Sequence, residues 1–254
     1  MFRRFGSFVL PLFMMLVLAI PAGHSARADE AAMSEAQKAA FEQLVHDYIM
    51  NNPQVILDSV RAHQDAAAEA EKAAQQQNLV HMREQIENGK LSPVGGNVDG
   101  DVTVVEFFDY RCGYCKRVHD TVMDTIKSDG KVRLVYKEFP ILGPDSVVAA
   151  HAALGVFFTN KDKYFAFSDA LMRAKGSLNE DRILQIAESI GLDPKAVKKS
   201  MTDPRIETEL RHNMALAESL NIRGTPAFIV GQTLVPGALD RKTLTNLIED
   251  ARKG

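Results

Sequence analysis

Tryptophan is absent from these 254 residues, and cysteine occurs only twice, within one short motif, Cys112-Gly113-Tyr114-Cys115. With no further cysteines there is no framework of structural disulfides, and one Cys-x-x-Cys supplies half of the four ligands that tetrahedral zinc takes. Basic residues form no block and no helix face. The 30 Lys and Arg stand against 33 Asp and Glu, net −3, which argues against nucleic acid as a partner. No stretch reaches the roughly 18 uninterrupted apolar residues of a membrane span, and no internal repeat is visible.

The first residues are present for another purpose. Arg3 and Arg4 give a basic start, Phe8 to Ile20 an apolar run broken by Pro11, and Ala26-Arg27-Ala28 a small-residue cleavage signal. Residues 1–28 are therefore expected to be a cleaved signal peptide of the general secretory route, with an uncleaved anchor as the alternative. Without them the chain carries 27 basic and 33 acidic residues, net −6.

Ser34 with Gln37 forms a capping-box pattern ahead of Phe41, Leu44, Val45, Tyr48 and Ile49, which fall on one helical face. Asn52-Pro53 ends that helix and starts another, with Asn52 expected as its cap. Val55, Ile56, Leu57 and Val60 are apolar, but residues 62–77 turn to Ala, Glu and Gln, a strong helix former whose seam buries little. Leu79, Val80, Met82 and Ile86 restore apolar character before Asn88-Gly89. Residues 29–90 are read as a helical oligomerisation stalk and linker, since such helices lack a core of their own and a second copy is an economical partner; folding back onto the rest of the chain is the alternative.

Residues 91–254 form the second region. Pro93 suits an edge strand, Val102 to Phe108 is the best strand, and Lys131 to Phe139 is another, joined to it through a helix and hence parallel. A helical insertion covers about residues 144–221, with Pro144, Pro194 and Pro204 at helix starts, Asp193 and Asp203 as caps, and Ser177 with Glu180 as a second capping box. Ala227 to Val230 and Thr233 to Val235 make a hairpin, and Asp240 caps a last helix. The fold class is α/β.

The Cys-x-x-Cys follows the best strand and opens a helix, where unpaired N–H groups and the positive end of the dipole favour thiolate over thiol. That context points to thiol–disulfide exchange, with Cys112 as the nucleophile and Cys115, one turn inside, as the resolving thiol. Metal binding competes: two soft ligands suffice for Cu(I), so Cys112 and Cys115 are the residues that would take it, and no other metal or cofactor is expected. Glu106, in an apolar strand, is either a buried carboxyl with a raised pKa, suited to accept the proton of Cys115, or an edge residue that reaches water. His119, one turn past Cys115, is expected on a solvated helix face, with facing the site as the alternative. Met123 is expected in the core, and Lys116 and Arg117 near the thiols.

Together Cys112, Cys115, Glu106 six residues upstream, and Thr225-Pro226 before the terminal hairpin resemble the thioredoxin superfamily, more narrowly its DsbA-like branch, over about residues 92–254. The resemblance implies a thioredoxin fold with a long helical insertion, a cis Pro226 beside the thiols, and Glu106 as their proton acceptor. Phe41 to Val60, with Tyr48-Ile49-Met50-Asn51-Asn52-Pro53-Gln54-Val55-Ile56, is similar to suppressor-of-copper-sensitivity C-type (ScsC-like) proteins. That second resemblance implies a periplasmic disulfide isomerase. It would be trimeric through residues 34–88, act on misfolded or oxidised exported proteins, and be re-reduced by a membrane-bound DsbD-like reductase. Gly113-Tyr114 replaces the Pro-His of the archetypal oxidase, and Thr225 replaces its Val, which favours isomerase or reductase over oxidase. The rival readings are a DsbA-like dithiol oxidase and a copper-binding or holdase protein.

Overall fold

The computed structural model describes residues 33–253; the expected signal peptide, residues 1–28, lies outside them. The chain divides into two compact units at Ala62/His63.

In the first unit, helix α1 (Glu35–Asn51) opens on the expected capping box: the Ser34 side chain accepts from the N–H of Gln37, and the Gln37 side chain accepts from the N–H of Ser34. Asn52 does not cap the next helix. Its Nδ2 donates to the carbonyl of Tyr48 at 2.9 Å, so it closes α1 instead. Helix α2 (Gln54–His81) begins directly after Pro53. No residue of α1 is buried, and Phe41, Leu44, Val45, Tyr48, Val55, Ile56, Leu57 and Val60 all stand exposed.

The second unit is built on a five-stranded sheet in the order β1-β3-β2-β4-β5. Its strands are β1 (Val94–Gly96), β2 (Val102–Phe108), β3 (Val132–Glu138), β4 (Ala227–Val230) and β5 (Thr233–Pro236). β2 and β3 are parallel, as the intervening helix requires, and the other neighbours are antiparallel. The central strands are buried on both faces, which is why they read as nearly unbroken β-branched and aromatic runs. Val102, Val104 and Phe108 of β2 join Leu134 and Tyr136 of β3 under helix α4 (Gly113–Asp129) and the insertion helices. The alternate residues Val105, Phe107, Val135 and Ile229 form the opposite face.

That opposite face corrects the expected region boundary at residue 90. Leu79 near the end of α2, and Ile86 of α3 (Arg83–Glu87), are buried in it beside Leu216 and Leu220. Asn78 Nδ2 donates to the Ser219 carbonyl at 2.7 Å, and Arg133 donates to the Glu87 carbonyl at 2.8 Å. A half-empty sheet face would leave Phe107 and Val135 in water, so these residues belong to the sheet's own core. Here the fold-back alternative holds for residues 75–89.

The insertion comprises α5 (Pro144–Thr159), α6 (Tyr164–Arg173), α7 (Glu180–Ser189), α8 (Pro194–Ser200) and α9 (Pro204–Ser219). Asp193 and Asp203 cap α8 and α9 as expected. The expected capping box at Ser177 is absent. Asn179 caps α7, because Leu178 is drawn fully into the core and Ser177 Oγ donates to Asp145 at 2.7 Å. Helix α10 (Arg241–Lys253) closes the chain, with Asp240 accepting from the Thr243 N–H. Among the described residues, no helix is long and apolar enough to cross a membrane.

Candidate functional site

Cys112 is the N-cap residue of α4, and its Sγ accepts from the N–H of Cys115 at 3.4 Å. The α4 stripe Cys115, His119, Val122, Ile126 is buried, and Cys112 caps the start of this helix just past the end of the central strand β2, at the positive end of the helix dipole. Cys112 is 5% exposed and Cys115 fully buried, both as free thiols. Burial raises the Cys115 thiol well above the ordinary thiol range. The Asp109 backbone opposes this, while charge on Glu106 or Cys112 adds to it. Cys112 thus keeps a small exposure that Cys115 lacks.

The Thr225-Pro226 peptide is cis and brings the carbonyl of Thr225 to 3.2 Å from Cys112 Sγ, which donates to it. Thr225 and Cys112 therefore meet although 113 residues separate them. Glu106 is 3% exposed, which resolves its two readings in favour of the buried one. On β2 it shares a sheet face with Val104 and Phe108, under α4, and burial pushes its carboxyl up from the usual 4.5 to about 8. The structure thus gathers Cys112, Cys115, Thr225 and Pro226, with Glu106 in the core behind them.

Other expectations need correction. His119 is not solvated: it is 5% exposed, with Nε2 2.8 Å from Oδ1 of Asp169. Its four-residue step from Cys115 already placed it on the buried stripe. Met123 does pack against the core as expected, partly buried. Lys116 donates to the Ala174 carbonyl, and its pKa is held down by burial and by Arg111. Arg117 lies over the Tyr114 ring, 4.9 Å from its centroid. Asp109 carried no sequence signal, yet it is buried and accepts from the N–H groups of Arg111, Ile141 and Leu142 at 2.7 to 3.0 Å. It ties the turn before Cys112 to the loop after β3. Among the described residues, no group of three or more His, Cys, Asp or Glu is placed to hold a metal ion.

An N-cap thiol with a small exposure, a fully buried partner one turn on, and the carbonyl before a cis proline against the first sulfur define a thiol–disulfide oxidoreductase on a DsbA-like thioredoxin fold. The chain belongs to the thioredoxin family, whose model matches residues 87–250. A second model, the copper resistance protein ScsC N-terminal domain, matches residues 37–70. A thioredoxin-like oxidoreductase from Silicibacter pomeroyi DSS-3 is 44% identical; the match covers 68% of this chain and 98% of that one, with a TM-score of 0.65. The thiol-disulfide exchange protein alpha-DsbA2 from Wolbachia pipientis is 33% identical, over 71% of this chain and 97% of that one, at a TM-score of 0.67. Proteus mirabilis ScsC in a transitional conformation is 29% identical, over 88% of this chain and 98% of that one, at a TM-score of 0.65.

Proposed function

We propose that this oxidoreductase is an exported, periplasmic disulfide isomerase that works as a homotrimer through its N-terminal helices. The Cys112 thiolate attacks one sulfur of a client disulfide, forming a Cys112–client bond and releasing a client thiolate. Attack by another client thiolate on the mixed disulfide returns Cys112 and leaves a reshuffled client, with no net change of electrons. When no client thiol attacks, Cys115 does. Its proton passes to Glu106, the reduced client leaves, and a Cys112–Cys115 disulfide remains for a membrane-bound DsbD-like reductase to reduce. Clients are misfolded or oxidised exported proteins.

The observation that carries this reading is the row of exposed apolar side chains in the first unit, from Phe41 to Val60. Surfaces of that kind on a soluble chain mark contact sites, and joining several exchange sites in one particle raises their effective concentration around a bound client. The similarity of residues 37–70 to the ScsC N-terminal domain adds support.

The test compares the mature chain with one beginning at His63 in refolding a substrate with scrambled disulfides. Isomerisation should fall to background on truncation, particle mass should drop from trimer to monomer, and the alkylation rate of Cys112 should be unchanged. Equal isomerisation by the two chains overturns the reading.

A further inference from the structure

A second buried acid lies beneath the nucleophile's turn. Glu138 ends β3, opposite Phe108 of β2, and is 1% exposed. Its Oε1 accepts from the hydroxyl of Tyr110 at 2.8 Å and from that of Tyr164, on α6, at 2.9 Å. Tyr110 Oη also lies 2.9 Å from Ser168 Oγ, again on α6. Tyr110 stands two residues before Cys112, so one hydroxyl joins the end of β3, the insertion and the turn that carries the reactive sulfur.

The surroundings make this acid costly. Phe108 and Tyr136 pack with Tyr110 and Tyr164 around it, ring centroids 4.7 to 6.3 Å apart. An apolar residue would fill such a shell without the desolvation that a carboxyl suffers. The titratable groups facing Glu138 are Tyr110 and Asp109 from the turn, Tyr136 from its own strand, Tyr164 from α6 and Glu209 from α9. Burial raises its pKa to about 8; the two phenols pull it down, and Asp109 and Glu209 push it up. The carboxylate form is the stronger acceptor for both phenols.

We propose that Glu138 is a positioning residue for thiol–disulfide exchange, which through the Tyr110 hydroxyl sets the place of the turn presenting Cys112. This rests on the exchange chemistry alone and is independent of whether the protein isomerises, oxidises or reduces. Asp109 anchors the same turn from the other side, so loss of the Tyr110 bond shifts the turn without releasing it.

The experiment measures alkylation of Cys112 by iodoacetamide in the mature chain and in Glu138→Gln, Tyr110→Phe, Tyr164→Phe and the Glu138→Gln/Tyr110→Phe double variant. At pH 9, where Glu138 is ionised, Glu138→Gln and Tyr110→Phe should each slow alkylation roughly two- to tenfold. The double variant should be no slower than the slower single one, because Glu138→Gln weakens and Tyr110→Phe removes the same hydrogen bond. The rate ratio of wild type to Glu138→Gln should rise as the pH passes about 8, where the carboxylate forms. Tyr164→Phe, which leaves the turn's own bond intact, should have the smallest effect. Additive losses, a ratio that does not vary with pH, or equal slowing by the two tyrosine variants overturns the proposal. Should Glu138→Gln not fold, the two tyrosine variants, each lacking one oxygen, decide it between them.

Discussion

Cys112 and Thr225 are joined sulfur to carbonyl, the thiol donating across 3.2 Å to the residue that precedes the cis proline. Because the acceptor is a backbone atom, the side chain of Thr225 can be changed without removing this bond. Thr225→Val keeps the β-branched shape and deletes the hydroxyl of the residue whose carbonyl meets the sulfur. We expect the reduction potential to move by roughly 20–30 mV toward the oxidising end, the equivalent of one net hydrogen bond in a two-electron couple. The proposed isomerisation should fall relative to dithiol oxidation, while thermal stability stays within about 2 °C. Equilibration with glutathione reads the potential, and an unchanged value removes Thr225 from the tuning of the thiols.

The position of Leu79 and Ile86 makes the choice of truncation consequential. A chain beginning at His63 keeps both in the sheet's core, whereas one beginning at Leu91 strips them away and uncovers Val105, Phe107 and Val135. The shorter chain should lose several kcal/mol, and Ile86→Ala alone about 2–4 kcal/mol, the usual range for truncating a buried aliphatic side chain. Urea titration of the three proteins checks this. A Leu91 chain as stable as the His63 chain would mean that the α2 end and α3 only rest on the surface.

Gly155 marks a close approach of α5 to Ser200 at the end of α8. A Cβ there would sit 2.5 Å from Ser200 Oγ and 2.8 Å from the Ser200 backbone carbonyl. The hydroxyl can rotate away, but the carbonyl cannot, so the two helices must separate. Gly155→Ala should cost about 1–3 kcal/mol, as overpacking does. The thiol chemistry lies elsewhere in the fold, and the alkylation rate of Cys112 should not change. A variant as stable as wild type would show that α8 moves freely.

The bounds of β2, the parallel pairing with β3 and the caps Asp193, Asp203 and Asp240 were legible because each depends on neighbours in the chain: alternating burial, crossover length, a side-chain oxygen just before a helix. Ser177 failed as a cap because Leu178 gains more from the core than the box would return, and no local pattern measures that competition. Asn52 failed because an amide can serve either flanking helix. Of the site, Cys112 and Cys115 announced themselves by spacing, and Glu106 by its apolar surroundings. Glu138 looked alike in sequence to any strand-end glutamate, since its partner Tyr164 lies 26 residues away. His119 was the avoidable miss. Its place on the stripe of Cys115, Val122 and Ile126 was visible in the periodicity, but a polar side chain was assigned to water.

The buried carboxyl of Glu106, in its proposed role, links stability and turnover with opposite signs. It titrates at about 8 in the folded protein and near 4.5 when exposed. Below pH 4.5 both states hold the proton and the folded state carries no penalty. Between 4.5 and 8 the unfolded chain ionises while the folded one does not, so stability falls as the pH rises, and the loss is complete above about 8. One pKa unit is worth about 1.4 kcal/mol, which makes the full loss roughly 3–5 kcal/mol. Glu106→Gln removes the titration, so the variant should match wild type near pH 4.5 and exceed it increasingly toward pH 8 in urea titrations at the two values. Turnover should respond the other way. In the proposed role of Glu106 the ionised carboxylate accepts the Cys115 proton, so resolution of a Cys112 mixed disulfide should quicken in wild type as the pH rises to about 8. In Glu106→Gln it should be slower by about 10²-fold or more, the usual contribution of a positioned base. Stopped-flow release of a thiol leaving group, run beside the urea titrations, reads both effects on the same samples. A variant that gains stability and keeps its resolving rate leaves Glu106 a buried acid with no part in moving the proton.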